Sequence, residues 1–342
     1  MMIDTLKALC ALNGVSGDEK EVRDYIVGRI SGYADEVRAD TLGNVIAYKK
    51  GAKSPAKKIV MCAHMDEVGV IILSITEEGY LRFAMAGGVD KRVIVGKSVA
   101  IGANKVFGVI GCKPIHLVGA KERRVATDTE DMYIDIGAKS KEEAEKLIDI
   151  GDTGAFDGQV RDFGDGFIVS KAIDDRFGCA VLITLIESEL PVDCCFVFSV
   201  QEEVGLRGAY TAAFAAAPDI ALIVEGTTAA DFPSVGDFKK VCKVGSGAVI
   251  PFMDGATIYD KDLYHLLCDI ADRNEIARQT KNVVAGGTDG AAFQRSRMGV
   301  KTAGIAAPVR NIHSQSCVAK IEDLDAVYKL ARSFLEEMGE KS

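Results

Sequence analysis

Five short segments of this chain carry histidines and carboxylates where they could do chemistry together. The first, Ile59-Val60-Met61-Cys62-Ala63-His64-Met65-Asp66-Glu67, is an apolar run that ends in a histidine with a carboxylate two residues on. In Lys171-Ala172-Ile173-Asp174-Asp175-Arg176-Phe177-Gly178 two adjacent carboxylates precede an apolar helical pattern, and in Ser199-Val200-Gln201-Glu202-Glu203-Val204-Gly205 two more follow a hydrophobic run. Glu225 closes the run 220–224, and His313 lies a few residues beyond the run 300–306. Each has an ordinary reading: a polar turn for His64, helix N-capping for Asp174 and Asp175. Taken together they favour a shared site. Adjacent carboxylates at the end of a buried strand repel one another and resist desolvation unless a cation lies beside them. Mixed imidazole and carboxylate donors suit Zn²⁺ or a similar divalent ion, and a surplus over one tetrahedral set suggests two ions sharing a bridging carboxylate. Paired ions about 3.5 to 4 Å apart are a hydrolytic arrangement.

Positioning such residues requires strands that end at one sheet edge. The continuous apolar runs 58–63, 194–200, 220–224 and 300–306 read as strands buried on both faces. Helical patterns at 177–187, 206–217, 261–274 and 322–338 alternate with them, which predicts an α/β layered fold. Open sheets of that kind bind ligands at the carboxyl ends of their strands. Ser16 and Glu19 form a capping-box signature for an amphipathic helix over about 17–31. Between 69 and 160 the pattern changes to short β-rich pieces (70–75, 80–84, 106–111, 132–136) with one helix at 141–148. This predicts a catalytic domain made of 1–68 and 161–342, interrupted by a β-rich domain at 69–160.

Composition narrows the function classes. Lys plus Arg number 41 against 50 Asp plus Glu, a formal charge of −9 that leaves no basic surplus for nucleic acid. The apolar stretches are too short to cross a bilayer, so no membrane partner is expected. The first residues lack a secretory pattern, and the nine cysteines show no C-x-x-C and sit mostly in apolar runs. A cytoplasmic protein with reduced thiols is the expectation. Gly96-Lys97-Ser98 lacks the first glycine of a phosphate loop, Gly245-Ser246-Gly247 lacks the third glycine of a dinucleotide motif, and Gly14-Val15-Ser16 lacks the last glycine of a serine-hydrolase elbow. His116 and His265 have no nearby carboxylate pattern and are read as structural.

In their order along the chain, Ala63-His64-Met65-Asp66-Glu67-Val68-Gly69, Ile173-Asp174-Asp175-Arg176-Phe177-Gly178, Glu202-Glu203-Val204-Gly205, Glu225-Gly226-Thr227, Gly286-Gly287-Thr288-Asp289 and Arg310-Asn311-Ile312-His313-Ser314 resemble the M42 family of metalloaminopeptidases. The resemblance covers essentially the whole chain. It implies a three-layer α/β/α zinc-peptidase catalytic domain with an inserted PDZ-like or barrel-like dimerisation domain. It further implies that His64 and Glu225 hold one metal, Glu203 and His313 a second, and that Asp174 bridges them. Glu202 would be the catalytic general base, and Asp66 would support His64 from behind. Two divalent ions per subunit are implied, Zn²⁺ first, with Co²⁺ or Mn²⁺ as other occupants. Short peptides would be the substrates, and dimers would assemble into a homo-dodecamer. The family commonly has Asp where this chain has Glu225, and the extra methylene would shift the first ion or its preference.

Asp175 and Gly287-Thr288-Asp289 read either as pocket-shaping or as helix-capping positions, and Arg310 either as a specificity or as a structural residue. Two rival functions are carried forward. A glycoside hydrolase with paired carboxylates leaves His64 and His313 without work, and the chain has no Trp for stacking sugars. A non-catalytic, metal-stabilised scaffold gives Glu202 no reason to stand where it does.

Overall fold

The computed structural model describes residues 2–120 and 122–341. Its central element is an eight-stranded sheet in the order Glu36–Ala39, Val45–Lys49, Cys194–Ser199, Ile59–His64, Ile220–Thr228, Lys301–Val309, Ala248–Ile250, Arg278–Thr280. The middle four strands, the apolar runs of the sequence, are mutually parallel and almost wholly buried. The outer strands introduce antiparallel pairs, so the sheet is mixed.

Strand alternation divides the core into two faces. Ile59, Met61 and Ala63 join Phe196, Phe198, Leu222 and Val224 in a core shared with the helices Met2–Cys10, Lys20–Ile30, Ile173–Ile186, Lys261–Arg273 and Ile321–Glu340. Val60 and Cys62 join Cys195, Val197, Ala221 and Ile223 against Ala209, Ala212, Ala213 and Ala216 of the helix Arg207–Ala216 and Phe293 of Gly290–Gln294. A period of two in the strands buried on both sides thus makes three layers, helix on sheet on helix.

Beyond Glu67 the chain leaves the sheet and forms a closed six-stranded barrel in the order Gly69–Ile75, Leu81–Ala86, Met132–Asp135, Val106–Cys112, Ser98–Ile101, Thr153–Phe156. All its pairings are antiparallel. Val70, Ile72, Leu81, Phe83, Val99, Ile101, Ile110 and Ile134 form its own separate core. Of the two forms expected for the insertion, the structure has the barrel. A third sheet pairs Arg161–Phe163, Phe167–Ser170 and Cys317–Lys320 antiparallel.

Several elements differ from expectation. The helix expected at 141–148 is regular only over Lys141–Ala144, where the Ser140 hydroxyl accepts the Glu143 N–H. The helix expected at 17–31 runs over Lys20–Ile30, and Ser16 and Glu19 make no capping box. Their side chains are engaged otherwise: the Ser16 hydroxyl donates to Asp66 at 2.6 Å, and Glu19 Oε1 accepts the N–H of Gly17 at 2.6 Å and of Gln201 at 3.2 Å. The helix Met2–Cys10, the strands Glu36–Ala39 and Val45–Lys49 and the edge strands Ala248–Ile250 and Arg278–Thr280 were not predicted. No helix among the described residues is long and apolar enough to cross a membrane.

Candidate metal centre

Strand register brings the first two residues together. His64 lies opposite Ser199, and Cys62, two residues before it, lies opposite Ile223, two residues before Glu225. His64 therefore continues the row Val60-Cys62, and Glu225 the row Ala221-Ile223, toward the same face of the sheet. Glu202 and Glu203 follow the strand Cys194–Ser199 in the loop before the helix at Arg207, and His313 follows Lys301–Val309. Asp174 arrives differently. The strand before it, Phe167–Ser170, belongs to the separate three-stranded sheet, so the five segments do not all end strands of one sheet.

The Asp174 carboxylate lies between the two histidines, with Oδ1 3.5 Å from His64 Nε2 and Oδ2 3.6 Å from His313 Nε2. Glu225 Oε1 is 3.6 Å from His64 Nε2, and Glu203 Oε1 is 3.2 Å from His313 Nε2. Two groups result, His64–Asp174–Glu225 and Asp174–Glu203–His313, each with donor atoms within 4.8 Å of one another. Glu202 Oε2 lies 4.0 Å from His64 Nε2 and belongs to neither group.

Four carboxylates crowded into a buried space are electrostatically strained. Burial pushes Glu202 well above the usual carboxyl range, with the Asp289, Glu203 and Asp66 charges adding to it. Burial does the same to Glu225, where the Glu202, Asp175 and Asp174 charges reinforce it. Burial opposes ionisation of Asp174 too, but contacts with His313 and His64 outweigh it and hold that group low. Burial pulls His313 down, yet Asp174 and Glu203 hold it up at about 11. The Oε2 atom of Glu225 is buried with no hydrogen-bond partner among the described residues. A divalent cation answers each of these features, because it neutralises several carboxylates and occupies the unpartnered oxygen. Two histidines with carboxylates are a donor set that such ions accept.

A second layer fixes the first. Asp66, fully buried, accepts the backbone N–H groups of Glu202 at 2.9 Å and Glu203 at 3.2 Å, and its Oδ1 is 3.5 Å from His64 Nδ1. The Nδ1 atom also meets the Asp66 carbonyl at 3.2 Å, so Asp66 occupies that side of the ring and Nε2 faces Asp174 and Glu225. Gly226 donates its N–H to Asp174 at 3.2 Å, and a Cβ there would stand 2.8 Å from the carboxylate oxygen. The backbone at Asp174 and Asp175 is not helical, so the regular helix begins after Asp175, which caps it by accepting the Gly178 N–H at 2.8 Å and also takes the N–H of His64 at 3.2 Å. It therefore acts as a cap and a brace together.

The Asp289 side chain does not cap the helix Gly290–Gln294, and Thr288 accepts the Gly290 N–H instead. Asp289 is buried under the site, with Ser199 donating to it, and burial pushes its carboxyl up to about 6. Arg310 is structural, pairing with both oxygens of Asp231 at 2.7 Å. His116 and His265 are exposed and take no part in the site; the ring of His265 lies beside Tyr264.

The sequence reading missed the network beneath Asp174. Glu67 Oε1 accepts from Lys171 at 2.8 Å, from buried Arg176 at 3.2 Å and from the Gly14 N–H at 3.1 Å. Two cations flanking Asp174-Asp175 were visible in the sequence, but nothing local said that one carboxylate would satisfy both.

The metal groups face a cleft of about 390 Å³ walled by Leu206, Thr227, Thr228, Lys281, Gly287 and Ile312 among others. The model of the M42 glutamyl aminopeptidase family matches residues 43–330. The chain belongs to that family. As a member it is a peptide hydrolase. It is 34% identical over 343 residues to the lysyl aminopeptidase of Pyrococcus furiosus, covering 98% of this chain and 97% of that one. Among solved structures, the TET aminopeptidase of the marine sediment archaeon Thaumarchaeota archaeon SCGC AB-539-E09 superposes with a TM-score of 0.93 at 34% identity, covering 99% of this chain and 98% of that one. The TET1 peptidase of Pyrococcus horikoshii, described as assembling into a tetrahedron or a large octahedral shell, gives a TM-score of 0.86 at 35% identity, covering 98% and 100%. The cysteines are free, all but Cys112 buried.

Proposed function

We propose that this M42 member is a dinuclear, metal-dependent aminopeptidase that removes N-terminal residues from short peptides. The observation that carries the reading is Asp174, whose two carboxylate oxygens face different histidines at 3.5 and 3.6 Å. His64 and Glu225 would hold one divalent ion, Glu203 and His313 the other, and Asp174 both. Zn²⁺ is the proposed occupant, with Co²⁺ and Mn²⁺ as substitutes. Bound there, the ions would supply Lewis acidity, polarising the scissile carbonyl and making the attacking water acidic at neutral pH.

Glu202 is the general base. It lies beside the ligand groups without belonging to them, so its carboxylate is free to take a proton from the attacking water and return it to the leaving amine. Asp66 keeps that carboxylate at its station by holding the backbone of Glu202, and keeps His64 turned with Nε2 toward Asp174 and Glu225.

Residues 1–68 and 161–342 form the catalytic domain of this reading, and 69–160 the inserted one, a division supported by the barrel's separate core. Self-association through the barrel, up to a dodecamer, is supported by the assembling TET1 relative and by exposed Phe107, Ile115 and Leu117. Cytoplasmic residence is part of the same reading, supported by the free, mostly buried cysteines. The deciding experiment is chelation. Removing divalent ions should abolish release of N-terminal residues from short peptides, and adding back Zn²⁺, Co²⁺ or Mn²⁺ should restore it; hydrolysis unaffected by exhaustive chelation would refute the proposal.

A further inference from the structure

One wall of the cleft holds a buried cation that the proposed mechanism does not use. Lys281 is 6% exposed and follows the edge strand Arg278–Thr280. It lines the same cleft as Asp174, Glu225 and His313, at the level of Glu225 along the sheet: Glu225 is opposite Ala306, Ala306 opposite Val249, and Val249 opposite Gln279, two residues before Lys281. Its ammonium donates to the carbonyl of Ala285 at 2.7 Å, and Ala285 itself lines the cleft. Among the described residues lining that cleft Lys281 is the one lysine or arginine. No carboxylate among the described residues lies within 4.0 Å of its nitrogen, whereas the other buried lysine, Lys171, has Glu67 at 2.8 Å.

A buried ammonium without an ion-pair partner is costly, and the cost is recovered when an anion arrives. Burial accordingly pulls Lys281 below the usual lysine range, while Asp254, Glu225 and Asp174 act on it from beyond contact. Glu225 and Asp174 are the carboxylates committed to ions in the proposed function, so a loaded site leaves Lys281 with less compensation than the bare one.

We propose that Lys281 is a specificity-determining residue that binds a carboxylate of the substrate in the cleft. This inference rests on the aminopeptidase reading and adds the substrate's charge to it. The carboxylate has two possible sources: the side chain of an acidic N-terminal residue, or the free carboxyl terminus of a peptide only two residues long.

Steady-state kinetics on the metal-loaded full chain tests both with isosteric pairs. The first compares glutamyl and glutaminyl p-nitroanilides; the second compares leucylglycine with leucylglycine amide. The charged member of one pair should be preferred in kcat/KM by roughly tenfold to a hundredfold, as one charge-assisted hydrogen bond allows. The preference should sit mainly in KM, vanish in Lys281→Met and survive in Lys281→Arg. A role confined to holding the Ala285 loop would lower both members of each pair alike and leave the ratios unmoved. Turnover without a charge preference in either pair, or a preference that outlasts Lys281→Met, would overturn the assignment of Lys281 and leave the aminopeptidase reading intact. Absence of turnover on all four substrates would overturn both. If Lys281→Met does not fold, the wild-type ratios together with Lys281→Gln decide the matter.

Discussion

Asp66 accepts the backbone N–H of Glu202 at 2.9 Å while its other oxygen takes the Ser16 hydroxyl at 2.6 Å. One buried carboxylate thus ties the loop carrying Glu202, the proposed general base, to the strand end carrying His64. Replacing it with Asn keeps an acceptor for one of these bonds but removes the charge and leaves an amide among donors. Asp66→Asn should lower metal affinity by about 10- to 100-fold and turnover with it. Metal titration of the chelated protein measures the first effect; affinity equal to wild type would show that Asp66 does not support the site.

Glu202 should separate chemistry from metal binding. Glu202→Gln preserves shape but cannot accept the proton, so metal content should stay nearly intact while kcat falls by a factor on the order of 10² to 10⁴. Elemental analysis and initial rates on one preparation check both halves. Wild-type turnover would remove Glu202 from the mechanism.

His313 belongs to one group alone. His313→Ala should reduce the metal content of the loaded protein from two ions per chain to one, with the ion of His64 and Glu225 retained. Inductively coupled plasma mass spectrometry reads the count directly. Two retained ions would contradict the ligand assignment.

Gly226 stands too close to Asp174 for any side chain. Gly226→Ala should leave the protein folded but push the Asp174 carboxylate aside, weakening both ions together where His313→Ala weakens one. Circular dichroism and metal titration distinguish this from general unfolding. Unchanged affinity for both ions would mean that Asp174 does not bridge them.

Glu19 gives a pH-dependent prediction. Burial raises its carboxyl to about 7, opposed by the Gly17 N–H and reinforced by the Asp66 charge. The folded state therefore holds a proton that the unfolded state has released, and the sign follows: the protonated form supports the fold at low pH, and stability falls as pH rises from about 4.5 to about 7. The loss is at most about 3 kcal/mol. Glu19→Gln keeps an acceptor for Gly17 and Gln201 and removes the charge, so metal-free Glu19→Gln should be the more stable protein at pH 8. Denaturant unfolding across this range tests it, and parallel pH curves for variant and wild type would count against it.

Much of the frame was legible because the signals are local. The runs around Met61, Val197, Leu222 and Ile305 had to be buried strands, and the switch from apolar to ionisable residues at His64, Glu202 and Glu225 marked their ends. What misled was also local. Ser16 and Glu19 have the spacing of a cap, yet Asp66 takes the Ser16 hydroxyl from another part of the chain, and Glu19 is shared between the N–H groups of neighbouring Gly17 and distant Gln201. Asp174 has the look of a strand-end residue, but its strand joins a different sheet. The edge strands escaped notice because three residues such as Ala248–Ile250 carry too short a pattern to register.

By itself the sequence determined which residue types were available, that they cluster at the ends of apolar segments, and that α/β patterning stops and resumes around a β-rich insertion. Those properties depend on neighbours in the chain, where alternation and polarity are written. Tertiary structure alone decided that Asp174 faces both histidines, that Asp175 braces the backbone of His64 while Arg310 only pairs with Asp231, and that Lys281 shares a cleft with Glu225. Each of these is a relation between segments some tens to more than a hundred residues apart, set by strand register and burial, which no local pattern records.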